Sequence, residues 1–219
     1  YGRGEREAAF QELEKAIQLN PQRAQTFVNL AVLQSSAGKM AEAEESFKKA
    51  VALDAKLATA VSSLGEFYAK QRRWAEAEQQ FLRAVELEPN KPEARTQLAR
   101  LYLSQGDRAK AEQVLVEAKK ALASDPAGYR LLGELYVGMG EMDKAVEEFA
   151  GLYREHSDDL RVKKNYISLL IQRGRLDEAG KLNDEILEKN AKDVEARISR
   201  GQILSRQEKP EDAIGQFDA

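Results

Sequence analysis

The stretch from Ala58 to Lys91 reads ATAVSSLGEFYAKQRRWAEAEQQFLRAVELEPNK, and its pattern returns every 34 residues along the chain. One series with this step is Leu30, Leu64, Leu98, Leu132 and Tyr166, and another is Ala43, Ala77, Ala111, Ala145, Ala179 and Ala213. A period of this size is typical of stacked supersecondary units that bury their apolar faces against one another. The sequence therefore predicts an array of repeats rather than one domain around a buried active site.

Each repeat is predicted to contain two helices. In the quoted stretch one apolar face has the i, i+3, i+4, i+7 spacing of a helix, through Val61, Leu64, Gly65 and Tyr68. After an interruption at Arg72 and Arg73, a second stripe begins at Ala77 and ends at Pro89, which lacks the amide that a continuing helix needs. Four other repeats have a glycine at the interruption: Gly38, Gly106, Gly140 and Gly174. The short turn predicts that the two helices form an antiparallel hairpin.

The repeat frame divides the whole chain. Residues 1–23 are the second helix of a partial repeat, residues 194–219 are a truncated repeat, and the full repeats are 24–57, 58–91, 92–125, 126–159 and 160–193. We expect one array over 1–219 that is a fragment of a longer protein, because both ends fall inside repeats and the chain starts at Tyr1 without a leader. Ile214 and Phe217 would then need a further repeat, or another chain, to cover them.

Small and large residues alternate between the two helices of a repeat. The residue after the core leucine, or its equivalent, is small at Ala31, Gly65, Ala99, Gly133 and Gly201. A missing side chain lets the paired helix approach closely. Large residues on the second helix are then predicted to fill the gap between successive hairpins: Phe47, Phe81, Leu115, Phe149 and Phe217.

These residues resemble the tetratricopeptide repeat family, whose pattern combines Leu-Gly, Tyr, Ala, Phe, Ala and Pro at set places in 34 residues. The match is clearest at Leu64, Gly65, Tyr68, Ala77, Phe81, Ala84 and Pro89, and it returns at Tyr129, Leu132, Gly133, Tyr136, Ala145 and Phe149. The fifth repeat departs from it, with Ile167 for the glycine and Asn183 for the phenylalanine. The resemblance implies an all-α, right-handed α-solenoid of antiparallel helix pairs, with first helices lining a concave groove. It also implies a bacterial-type scaffold that holds peptides or proteins.

Composition excludes several classes of function. The net charge is −3 and no chain-wide basic stripe exists, so nucleic acid is not an expected partner. No apolar run approaches the length of a membrane span. Cysteine is absent, which excludes disulfides and zinc–thiolate sites and is compatible with either the cytoplasm or a bacterial periplasm.

We expect no enzymatic activity, metal or cofactor. The one histidine, His156, lies near a repeat boundary and is interpreted as a solvated residue rather than a general base. Gly138 and Gly140 could begin a phosphate loop, but no strand precedes them, so they are assigned to a turn. Asp158 and Asp159 are assigned to solvated surface rather than to a metal. Trp74 is interpreted as packing across a hairpin turn rather than as an exposed anchor.

The family's geometry places a candidate peptide groove on the first helices. Cationic groups recur on three successive first helices, at Arg100, Arg130, Arg161 and Lys164, and an apolar ridge is predicted beside them, at Leu103, Val137 and Ile171. Because guanidinium groups suit carboxylates, we predict an acidic and apolar partner segment, extended or helical. The alternative is that Glu66, Glu93 and Glu134 neutralise these cations. Asn165 completes the candidate set.

Three hypotheses for function remain open. The first is a non-catalytic scaffold that binds proteins through the groove. The second is the repeat section of a larger protein, such as a glycosyltransferase or a component of bacterial polysaccharide export or secretion. The third is a module that associates end to end with itself. A clamp for chaperone tails is rejected, because Ser168 and Ser199 stand where that clamp needs asparagine.

Overall fold

The computed structural model describes residues 3–209 and Asp212. Within residues 3–209 the chain has twelve helices and no strand, which confirms the predicted all-α fold of helical repeats. The helices are α1 (Arg3–Leu19), α2 (Ala24–Ser36), α3 (Met40–Leu53), α4 (Ala58–Lys70), α5 (Trp74–Leu87), α6 (Glu93–Ser104), α7 (Arg108–Ala121), α8 (Pro126–Gly138), α9 (Met142–Glu155), α10 (Leu160–Gln172), α11 (Leu176–Lys189) and α12 (Val194–Arg206). In this part of the chain no helix is long and apolar enough to cross a membrane. The predictions for Ala213, Ile214 and Phe217 lie outside the described residues.

The described part of the chain forms two compact units, which divide between residues 122 and 123. In the N-terminal unit, α1 packs on α2 and is followed by the hairpins α2–α3, α4–α5 and α6–α7. In the C-terminal unit, the hairpins α8–α9 and α10–α11 are followed by α12, which packs on α10 and α11. We call α2, α4, α6, α8, α10 and α12 the first helices of their repeats, and their hairpin partners the second helices.

The turn inside each hairpin needs a residue in the left-handed conformation. Four repeats use a glycine with φ between 73° and 79°, whereas the second repeat uses Arg72 with φ of 59°. The amide of the next residue, Arg73, then donates to the carbonyl of Tyr68 at 3.0 Å, which closes the end of α4. The prediction of a break at this place is confirmed, although Arg72 shows that the turn does not require glycine.

In two hairpins a glycine of the first helix lets the second helix approach closely. A Cβ placed on Gly65 would stand 2.8 Å from Phe81 Cε1, and one on Gly133 would stand 2.7 Å from Phe149 Cε2. Phe81 and Phe149 thus lie against the backbone of their own hairpin partner. Phe47 also reaches the next hairpin, since its ring centroid lies 5.3 Å from that of Phe67.

The hairpins α4–α5 and α6–α7 share an apolar cluster in the N-terminal unit. It is formed by Val61 of α4, Ala84 of α5 and Ala94 of α6, all of them buried. Burial of a large apolar side chain contributes about 1.5–3 kcal/mol, so apolar contacts between these two hairpins stabilise both.

Aspartates cap the first helices of the C-terminal unit. Asp125, Asp159 and Asp193 precede α8, α10 and α12 at the 34-residue step. Each accepts a hydrogen bond from an amide of the helix that follows, at 2.8–3.0 Å. As an N-cap, each Asp side chain supplies an acceptor for a backbone amide that has no partner within the helix.

Candidate functional site

The N-terminal unit has a hollow of about 400 Å³ between two first helices, α4 and α6. It is lined by small and hydrophilic residues of α4, of α6 and of the segment that joins α5 to α6: Ala58, Thr59, Ser62, Ser63, Glu66, Glu88, Lys91, Glu93, Ala94 and Gln97. Glu66 belongs to the candidate set predicted from the sequence, whereas the neighbouring hydroxyl residues Thr59, Ser62 and Ser63 do not.

A second hollow of about 190 Å³ adjoins the first, toward α2. It is lined by Val32, Ser35, Ser36, Phe47, Ser63, Glu66, Phe67 and Lys70. Ser63 and Glu66 line both hollows, so the two form one continuous surface across the first helices. Val32 is 54% exposed there, although it is a large apolar residue.

Hydrogen bonds connect side chains across this surface. Thr59 Oγ1 donates to Gln25 Oε1 at 3.4 Å, which links α4 to α2. Gln97 Nε2 donates to Glu66 Oε1, which links α6 to α4. Gln97 Oε1 is buried and accepts no hydrogen bond from the described residues. Gln97 thus contributes its amide nitrogen to this surface through the bond to Glu66.

The charge around the larger hollow is predominantly acidic. Glu66, Glu88 and Glu93 line it together with a single cation, Lys91. Lys91 Nζ lies 2.6 Å from Glu88 Oε1, so this lysine is engaged within its own turn. The carboxylates of Glu66 and Glu93 are exposed to a ligand that would enter the hollow.

In the C-terminal unit, Arg130 is held by the cap of the next helix. Its side chain is 6% exposed, and Nη1 lies 2.7 Å from Asp159 Oδ2. Tyr129 Oη donates to the same oxygen at 2.6 Å. Burial opposes ionisation of Asp159, but the hydrogen bonds from Tyr129, from two backbone amides and from Arg130 outweigh it and lower the pKa. Asp159 is thus a half-buried structural residue, not the solvated one predicted.

Lys164 repeats this arrangement one repeat later. Its Nζ lies 2.9 Å from Asp193 and 2.7 Å from Glu195. The pairs Arg130–Asp159 and Lys164–Asp193 each join residues 29 apart in sequence. In both, a cation of one first helix reaches the aspartate that caps the next first helix. The recurrence of aspartate every 34 residues was a signal in the sequence from which these ion pairs could have been predicted.

The remaining candidate residues differ in exposure. Ile171 is 3% exposed, and Arg206 Nη1 donates to its carbonyl at 2.7 Å, so it does not lie on an accessible ridge. Val137 is 39% exposed. Leu103 and Asn165 are half-buried, and the exposed charged residues of the set are Glu66, Arg100, Glu134 and Arg161.

His156 is half-buried and packs against an aromatic side chain. Its ring stacks on Tyr129, with centroids 3.9 Å apart and planes 5° from parallel. Burial, followed by the hydrogen bond to Asp159, raises the pKa of Tyr129 to about 12. Among residues 3–209 and Asp212 there is no group of three or more histidine, aspartate or glutamate side chains that could hold a metal ion.

The comparisons with known proteins agree with this architecture. Residues 24–57, 68–135 and 136–216 match the family described as "Tetratricopeptide repeat". No match was found among curated proteins.

Several solved structures have a similar fold. PilF of Pseudomonas aeruginosa is 22% identical, with a TM-score of 0.56 over 89% of each chain. Yeast Tom70 is 21% identical, with a TM-score of 0.62 over 95% of this chain and 45% of that one. A structure of Naa15/Naa10 bound to HypK-THB is 20% identical, with a TM-score of 0.55 over 94% of this chain and 32% of that one. At these identities the similarity shows the fold alone.

Proposed function

Because the chain belongs to the tetratricopeptide repeat family, we propose that it is a non-catalytic scaffold that binds an extended segment of a partner protein. Repeats of this family generally act as scaffolds for protein–protein interaction. The binding surface is the face of α2, α4 and α6 in the N-terminal unit. The observation that carries this proposal is the pair of adjoining hollows that share Ser63 and Glu66.

The shape of this surface suits a strand-like ligand. Two hollows side by side can each take one side chain, while the ligand backbone passes over the wall between them. Ser63 stands in that wall and offers a hydroxyl that can donate or accept. Val32 adds exposed apolar area, whose burial by a partner is favourable.

The C-terminal unit is less suited to the acidic partner that the sequence predicts. Binding of a carboxylate by Arg130 or Lys164 would have to compete with Asp159 and Asp193, which already accept their hydrogen bonds. Separating Arg130 from Asp159 would leave two charges with little solvent around them, which is costly. We therefore place the proposed site in the N-terminal unit.

A solved structure of similar fold provides an analogy for the kind of partner. Naa15/Naa10 is described as bound to HypK-THB, and it is thus an assembly of different proteins. By analogy, we propose that the partner of this chain is another protein and that it contributes a short segment to the surface.

The test is a selection of random twelve-residue peptides, displayed on phage, against the intact chain. Selected peptides should bind the wild type and a Glu86→Trp variant equally, because Glu86 is exposed on the second helix α5. They should bind at least about tenfold more weakly to Ser63→Trp and to Val32→Asp, which alter the proposed surface.

Unfolding curves of all three variants provide the control for folding. Peptides that bind the surface variants as tightly as the wild type would place the binding site elsewhere and contradict the proposal.

A further inference from the structure

We infer that the N-terminal unit selects a segment in which a lysine or arginine lies two residues from an aliphatic residue. The cation enters the larger hollow, between α4 and α6, and the aliphatic side chain enters the smaller hollow beside α2. This inference rests on the proposed function and names the chemistry of the partner. The partner segment inferred here is basic, whereas the cationic first helices predicted an acidic one.

The larger hollow is rich in acceptors. Glu66 and Glu93 contribute carboxylates, and the one nearby cation, Lys91, is paired with Glu88. A carboxylate has about four sites for accepting hydrogen bonds. Gln97 Nε2 takes one of those on Glu66, which leaves capacity for a ligand.

The hydroxyl groups of the lining add further acceptors. Thr59, Ser62 and Ser63 lie beside Glu66 in the larger hollow, and a hydroxyl can accept hydrogen bonds as well as donate one. Lysine and arginine side chains have donors only, three and five of them respectively, so they match a lining of this kind.

Other side chains fit the larger hollow poorly. An aspartate or glutamate there would face Glu66 and Glu93, and like charges repel. An aliphatic side chain would take water away from the two carboxylates without replacing their hydrogen bonds, which is also costly. The lining therefore discriminates between partners by charge.

The smaller hollow differs from the larger one in its charges and in its exposed apolar side chain. Phe47 and Phe67 contribute aromatic rings that are nearly fully buried, and Val32 contributes exposed apolar area. Lys70 also lines this hollow, and its charge disfavours a second cation there. An aliphatic side chain is therefore the favoured occupant.

The spacing follows from the shared wall. Both hollows include Ser63 and Glu66, so the two ligand side chains must lie close together on one side of the segment. In an extended chain, side chains that point the same way are two residues apart and about 7 Å from each other. Both orders, cation first and aliphatic first, satisfy this condition.

The experiment sequences the peptides obtained from the random twelve-residue library with the intact chain. The expected result is enrichment of lysine or arginine two residues from leucine, isoleucine or valine. The same selection on Glu66→Lys should lose that enrichment, whereas Glu86→Lys, with the same charge change on α5, should retain it. Enriched peptides without a cation would overturn the inference and leave the proposed scaffold intact. A failure to enrich any peptide would contradict both.

A charge exchange on one synthetic peptide completes the test. Replacing its cation by glutamate should weaken binding to the wild type at least about tenfold, and the glutamate peptide should bind Glu66→Lys better than it binds the wild type. The milder double change Glu66→Gln and Glu93→Gln should also weaken binding of the original peptide to the chain. If the glutamate and arginine peptides bind the wild type equally, the charge selection does not exist.

Discussion

The ring of Phe149 lies against the backbone of Gly133, so close that a Cβ on Gly133 would stand 2.7 Å from Phe149 Cε2. Real Cβ atoms do not approach a ring to this distance, so any other residue at 133 would require the Phe149 ring, or the helix α9 that bears it, to shift. Gly65 and Phe81 have the same relationship at 2.8 Å. The close approach of the two helices in these hairpins therefore depends on a missing side chain.

Gly133→Ala should lower the free energy of unfolding by about 1–3 kcal/mol, because the added methyl group overpacks the hairpin. The matched control is Gly138→Ala in the same helix, where no heavy atom lies within 4 Å of an added Cβ. That change should leave stability unchanged or raise it slightly, since alanine favours helix more than glycine does. Urea unfolding followed by circular dichroism measures both, and equal effects would contradict the packing argument.

In the fifth repeat the larger residue is on the first helix, α10, and the smaller one is on the second helix, α11. Ile167 and Asn183 occupy the places of Gly133 and Phe149, and both are almost fully buried. Neither Asn183 Oδ1 nor Nδ2 has a hydrogen-bond partner among the described residues. Asn183→Leu should therefore raise the free energy of unfolding by about 1–2 kcal/mol, because it removes a buried polar group at similar volume.

Asn165→Leu is the control for Asn183, since Asn165 is only half-buried. It should bring no comparable gain in urea unfolding. A loss of stability in Asn183→Leu would mean that the amide has a partner, such as a buried water, and that it contributes to folding.

Arg72→Gly should stabilise the N-terminal unit by about 1 kcal/mol, because Arg72 has a φ of 59°, which strains a residue with a Cβ. The neighbouring change Gln71→Gly should instead destabilise the unit, since Gln71 has a φ of −91° and gains only flexibility in the unfolded chain. Thermal unfolding of both variants provides the comparison. If both changes lower the unfolding temperature, the side chain of Arg72 contributes more than its backbone strain costs.

Glu44 makes the N-terminal unit sensitive to acid. Hydrogen bonds from Arg73 and then Lys48 lower its pKa from 4.5 to about 2, and Arg73 Nη1 lies 2.6 Å from Glu44 Oε2. A pKa that is lower in the folded state contributes stability above the unfolded pKa, and this contribution is lost as pH falls from about 5 to about 2. Glu44→Gln should be destabilised by about 1–2 kcal/mol near neutral pH and should approach the wild type at the acidic end.

The control for Glu44 is the exposed neighbour, Glu45→Gln. It should change the free energy of unfolding little across the same range of pH. A gap between wild type and Glu44→Gln that stays constant down to about pH 2 would show that the ion pair with Arg73 is not the cause.

Much of the architecture was predictable because it depends on local periodicity. The stripe through Val61 and Leu64 specifies which side of α4 is buried, and the glycine step specifies where four of the hairpins turn. The pairing of Gly65 with a large residue was also predictable, since one small and one large position recur together in the repeat. These features need only the helical repeat and the sizes of side chains.

The accessibility of individual groups was not predictable in the same way. Arg130 and Arg161 lie on neighbouring first helices, yet Arg130 is buried against Asp159 while Arg161 is exposed. Ile171 belongs to the predicted apolar ridge but is covered, whereas Val32 is exposed. The residues that contact Arg130 and Ile171, which are Asp159 and Arg206, lie 29 and 35 residues away in sequence.

By itself, the sequence determined the repeat length, the helix pairs, the turn positions and the family, because each follows from spacing along the chain. Only the tertiary structure decided which charges are already paired and where hollows remain between α2, α4 and α6. The physical reason is that a helical period specifies the face on which a side chain lies. Whether that side chain meets solvent or a partner depends on distances of a few ångströms between successive hairpins.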